Sequence, residues 1–139
     1  MQRSADIEQL VRDWFAAASN GDPSLARAHV SREAGVRLIG SDPAEYLAGG
    51  DTIRDFLLRE VEGGGGQAKF APSEVEGFEE GSVGWATTKL TITLPDGGQV
   101  TPRWSAVFHR EDGGWRFVQT HASIGVGNDD IGWVYPGQE

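Results

Sequence analysis

The chain contains no cysteine. That excludes a disulfide framework and thiolate chemistry. Basic residues are scarce: 12 Lys and Arg stand against 21 Asp and Glu, for a formal net charge of −9. Such a balance argues against a nucleic-acid backbone or an anionic membrane as partner. No run approaches the roughly 18 apolar residues of a membrane span. The opening MQRSADIEQ lacks the apolar core of a signal peptide, so a cytoplasmic location is expected. Histidine is limited to His29, His109 and His121. Their spacing matches no metal motif, and Asp129 and Asp130 form no calcium loop, so no metal is expected. No Gly-x-Ser-x-Gly elbow is present, which sets a serine hydrolase aside. Gly63 to Gly66 are not followed by a Lys-Ser/Thr pair and read as a connector rather than a phosphate loop.

What is there suits one globular domain. The 139 residues, 38% of them hydrophobic, are enough to bury a core. Residues 1–139 read as a single domain whose last stretch, 125–139, is a tail on the surface or crossing to a partner. Ile7, Leu10, Val11, Trp14, Phe15 and Ala18 keep the spacing of an amphipathic helix, with Ser4 as N-cap and Asn20-Gly21 as its stop. Asp22-Pro23 opens a short second helix reaching about Val30. Val36–Ile39 reads as a strand and Gly40–Pro43 as a turn. Asp51 caps a third helix with Ile53, Phe56, Leu57 and Val61 on its buried stripe. Four strands follow, the first (69–78) interrupted by Pro72 and so expected at an edge. The second spans 83–94. Helices before antiparallel strands argue for an α+β fold in the order α-α-β-α-β-β-β-β.

The stretch from Val100 to Ser123 organises the rest. Two β-rich runs flank Glu-Asp-Gly-Gly, a hairpin signal. If Arg110 and Trp115 close the turn, Phe108 faces Phe117, Ala106 faces Gln119, and Trp104 faces His121. Opposed residues share a face, so one side carries Trp104, Ala106, Phe108, Trp115, Phe117, Gln119 and His121. Pairing Leu94 with Gln99 across the preceding turn adds Trp85, Thr87 and Lys89 to that side. The opposite face, with Arg103, Ser105 and Val107, is also fairly apolar. Helices cover one face only, so the other is expected to meet a second copy in a homodimer.

Three passages carry a family likeness: LIGSDPAEYLAGGDTIRDFL at 38–57, VGWATTKLTITLPDGGQVTPRWSAVFHREDGGW at 83–115, and RFVQTHASIGVGN at 116–128. With the element order, they resemble the SnoaL-like branch of the nuclear transport factor 2-like superfamily. The matching features are His121-x-Ser123, the Asp-Pro turn at Asp42, and the Gly-Gly entry to the third helix. The resemblance implies a cone: a curved antiparallel sheet wrapped around helices, with a pocket at the open end. It implies either a ligand-binding or dimerisation module or a cofactor-free isomerase, cyclase or dehydratase acting on a small hydrophobic molecule. No cofactor is expected.

His121 is the first candidate for proton transfer, since imidazole titrates near neutrality. The bland alternative is a histidine satisfying a hydrogen bond at the edge of the core. Asp42 is the second, in a turn where this fold places pocket-rim residues; the alternative is a turn-capping aspartate. Trp14, Trp85 and Trp104 are the expected walls of a substrate pocket. Gln119 and Arg103 are the expected polar contacts, with Lys89 in support.

Overall fold

The computed structural model describes residues 1–64 and 66–137. A two-residue strand β1 (Gln2–Arg3) leads into α1 (Ala5–Ser19), followed by α2 (Ser24–Ala28), β2 (Arg37–Ile39), β3 (Tyr46–Ala48) and α3 (Gly50–Gly64). The long strands come next: β4 (Lys69–Glu80), β5 (Val83–Thr93), the short β6 (Gln99–Val100), β7 (Arg103–Glu111) and β8 (Gly114–Ser123). The sheet runs β1-β4-β5-β7-β8-β2-β3, with β6 paired to β5. The fold is α+β as expected, with two qualifications. Three short strands, β1, β3 and β6, join those read from sequence. One pair, β2 with β8, is parallel, so the sheet is mixed.

Local chemistry explains the helices. Ser4 is extended and accepts the Ile7 N–H at 3.3 Å, capping α1. Ile7, Val11 and Phe15 are buried, and each is worth about 1.5–3 kcal/mol of apolar burial. Asp22 Oδ1 accepts the Ser24 N–H at 2.9 Å and starts α2, which ends at Ala28, two residues short of the expected end. The entry to α3 depends on Gly50. A Cβ there would lie 2.2 Å from the Ser31 carbonyl oxygen and 2.5 Å from Arg32 Cα. Only glycine lets the backbones approach so closely. Gly49 before it has φ of +95°, which glycine adopts freely. Among the described residues β4 has no strand partner beside Pro72 on its outer side, since β1 reaches only Phe78 and Glu79.

The core has two parts. Along α1 and the inner sheet face, Ile7, Val11 and Phe15 meet Ala86, Leu90, Trp104, Phe108 and Phe117. A smaller cluster, Val30, Val36, Leu38 and Ile53, lies under α3. Trp14 packs against both clusters.

Two single-residue shifts separate the observed strand faces from the expected ones. In the hairpin of β7 and β8, Arg110 pairs with Trp115 and Phe108 with Phe117, as read from the turn. Beyond Phe108 a β-bulge leaves Val118 without a partner, and Val107 pairs with Gln119 instead. An extra residue reverses the phase of a strand. His121 therefore opposes Ser105, and Ala122 opposes Trp104. The second shift arises at Pro95–Gly97. Leu94 N–H donates to the Gly98 carbonyl at 2.7 Å, and Thr93 pairs with Gln99. The loop is thus one residue shorter than expected, with Gly97 at φ +89°. Trp85 then pairs with Val107, and Thr88 pairs with Trp104. Trp85, Thr87 and Lys89 lie on the outer face, and Ala86, Thr88 and Leu90 face the helices.

Candidate functional site

Between α1, α3, the β2–β3 turn and the inner sheet face lies an open cavity of about 370 Å³. Helix α1 contributes Trp14, Phe15 and Ala18 to its walls, and α3 contributes Phe56, Leu57 and Val61. The sheet supplies Phe70, Leu90, Trp104, Thr120 and Ala122. Phe15 meets the Trp104 ring edge-on, with centroids 5.1 Å apart. Trp14 lies against Phe117, 4.3 Å between centroids. These contacts fix the two indoles that border the space. The volume falls within the roughly 300–1,000 Å³ of small-molecule sites.

The polar groups bordering the cavity are few: Asp22, Ser41, Glu45, Glu60, Gln67 and Thr120. Among the described residues that line it, none is basic. Glu45 is half-buried, and its side chain lies over Gly40, where a Cβ would come within 2.7 Å of it. Its Oε1 accepts the Asp42 N–H at 3.1 Å. The backbone N–H of Ser24 holds the Asp22 carboxyl below the ordinary aspartate value. That group therefore carries its charge throughout the neutral range.

The expected site residues are divided by the sheet. Trp14 and Trp104 line the cavity. Trp85 lies on the outer face, where it stacks on Phe78 with centroids 6.2 Å apart. The loop shift puts it there. His121, Gln119 and Arg103 also belong to the outer face. The expectation that His121 shares a face with Trp104, with Arg103 on the other face, is corrected by the bulge at Val118. Arg103 donates to Ser123 Oγ at 3.3 Å, directly across the ladder. His121, Arg103, Lys89, Ser105 and Glu76 border a second cleft of about 380 Å³, which Trp104 also borders. Lys89 pairs with Glu74 there at 3.0 Å. Asp42 is exposed, and its Oδ1 accepts the Ala44 N–H at 2.8 Å, the turn-capping role. It is absent from the residues bordering either space.

Glu45, Phe56, Phe70 and Gln67 were not singled out as site residues from sequence. Phe56 carried a signal, being on the buried stripe of α3, but that stripe reads equally as core. Glu45 carried none.

Residues 7–127 match the model of the SnoaL-like domain family. The chain belongs to that family. A search of curated proteins finds no match. Similar solved structures include a nuclear transport factor 2-like protein of unknown function from Pseudomonas putida. It is 14% identical, with TM-score 0.76 over 97% of this chain and 95% of that one. An uncharacterised protein with a cystatin-like fold from Caulobacter vibrioides is 18% identical, with TM-score 0.71 over 91% and 92% of the two chains. A protein of unknown function from Pectobacterium atrosepticum is 22% identical, with TM-score 0.70 over 88% and 90%. At these identities the likeness establishes the fold and nothing about activity.

Proposed function

We propose that this SnoaL-like domain protein binds a small, mostly apolar molecule in the cavity beneath α1. The observation that carries the reading is an open space of about 370 Å³ walled by Trp14, Phe15, Phe56, Phe70 and Trp104. An apolar ligand entering such a space takes apolar wall and ligand surface out of water together. The same reading extends to a homodimer formed through the outer sheet face, where Trp85, Phe78 and Val107 leave apolar surface away from the helices.

Cofactor-free acid–base chemistry on that molecule, such as isomerisation, cyclisation or dehydration, needs a titratable group at the cavity. Glu45 is the half-buried one. A catalytic pair of His121 and Asp42 draws no support from their placement, one on the outer face and one in an exposed turn. Ligand binding without turnover is therefore the better-supported function.

The test uses N-phenyl-1-naphthylamine, a neutral probe whose emission rises in apolar surroundings. Saturable enhancement at one probe per chain is expected. Ala18→Leu, which extends a side chain into the cavity from α1, weakens it by about tenfold or more while leaving the fold intact. A titration that never saturates, or one indifferent to Ala18→Leu, overturns the reading.

A further inference from the structure

The cavity has a sign as well as a shape. Asp22, Glu45 and Glu60 border it, and no lysine, arginine or histidine does among the described residues. Trp14, Trp104 and Phe56 are aromatic residues bordering the same space. An aromatic face is electron-rich and attracts a cation, most strongly when the ring is an indole and the site is partly dry. Carboxylates at the border add to that attraction. The whole chain, at net charge −9, draws cations toward it at long range. An anionic ligand meets the reverse in every respect: three like charges, electron-rich walls, and no cationic side chain to receive it.

We propose that the natural ligand is an apolar organic cation: a hydrocarbon or aromatic body bearing an amine or quaternary ammonium group. This rests on the ligand-binding reading above and deepens it. The body fills the space between the α1 and sheet rings, and the charged group lies toward the carboxylates. Asp22 and Glu45 already accept backbone N–H groups, from Ser24 and Asp42. Those bonds hold the carboxylates in position without neutralising them. Glu60 is exposed on α3, so its replacement by glutamine leaves the fold alone.

Three isosteric competitors separate the two levels of the proposal. They are 2-naphthylmethylamine (cationic at pH 7), 2-naphthalenemethanol (neutral) and 2-naphthoate (anionic), each displacing N-phenyl-1-naphthylamine. The expected order is amine, then alcohol, then acid, with the amine about tenfold or more tighter than the alcohol at low salt. Glu60→Gln and Glu45→Gln, alone and together, narrow the gap between amine and alcohol. Added salt narrows it in the same way. Equal binding of amine and alcohol, a tighter acid, or a gap indifferent to both substitutions overturns the cation proposal while the apolar site stands. Failure of all three competitors to displace a saturably bound probe overturns the cation proposal alone, whereas a probe that never saturates overturns the site and the cation proposal with it.

Discussion

His121 stands directly across from Ser105 on the outer side of the β7–β8 ladder, and the next residue, Ala122, stands across from Trp104 on the inner side. The imidazole and the indole thus belong to opposite surfaces of one sheet. His121→Ala is therefore expected to leave the affinity for N-phenyl-1-naphthylamine within about twofold of the parent, since the imidazole itself does not border the cavity. A fluorescence titration checks this. Loss of binding by an order of magnitude would tie the imidazole to the cavity after all.

Two glycines at opposite ends of α3 should respond to alanine with opposite signs. At Gly50 a methyl group meets the backbone of Ser31 and Arg32, with no flexible side chain to yield. Gly50→Ala is expected to destabilise the fold by about 1–3 kcal/mol, the range for overpacking. Gly63 has nothing within 4 Å of its Cβ position and lies within the helix. Gly63→Ala there gains about 0.5–1 kcal/mol from helix propensity. Urea unfolding of the pair, with unchanged m-values, reads both effects. If both substitutions move the midpoint the same way, the close approach at Gly50 is not what requires glycine.

Stability should fall on the acid side of neutrality. Glu8 accepts the Gly77 N–H at 2.9 Å and also pairs with Arg3, in that order of importance, and both hold its carboxyl below the usual 4.5. The Arg32 guanidinium does the same for Asp51, below its usual 3.8. In the unfolded chain these groups take up protons at their ordinary values, and in the folded chain only at lower pH. The folded state is thus favoured fully above about pH 4.5–5, and the advantage is lost as pH falls through the depressed values. Thermal melts from pH 7 to pH 3 should show the decline. Glu8→Gln should flatten it, because Glu8 joins α1 to β4 and is only 13% exposed. An unchanged slope in that variant would mean that other carboxylates carry the acid response.

How far the fold could be read from residues depended on whether a pattern was local. The buried stripe of α1 follows a period that its own residues display, and Ser4 caps it within three positions. The inner set Trp104, Ala106, Phe108, Trp115 and Phe117 was legible because the hairpin tip was placed correctly and all five lie within reach of it or keep its alternation along β7. Gln119 and His121 were misplaced because Val118 looks like any β-branched strand residue; nothing in its side chain announces a bulge. Trp85 was misplaced because Pro95-Asp96-Gly97-Gly98 closes equally well on paper as a three- or four-residue loop. With a side-chain period of two, the loop error turned all of β5 over, and the bulge turned over the part of β8 beyond Val118. The cavity was legible only in part, since Phe56, Phe70 and Glu45 come from elements that meet in space and not along the chain.

The displaced tryptophan gives the last prediction. On the outer face Trp85 stacks on Phe78 and lies beside its ladder partner Val107, while Arg3 caps the Phe78 ring at 5.5 Å. None of these side chains borders the cavity. An aromatic strip flanked by polar residues is the composition of an interface core, and a copy of the same strip related by a two-fold axis is its natural complement. The parent chain is therefore expected to sediment at twice its chain mass. Trp85→Glu removes the anchor and places two like charges near the axis, and it should sediment as a monomer at concentrations where the parent is fully dimeric. Because Trp85 points away from α1, the monomeric variant should still bind N-phenyl-1-naphthylamine. A monomeric parent, or a dimer untouched by Trp85→Glu, would remove the outer face from consideration. A variant that is monomeric but no longer binds would instead show that each cavity needs the second chain for its shape.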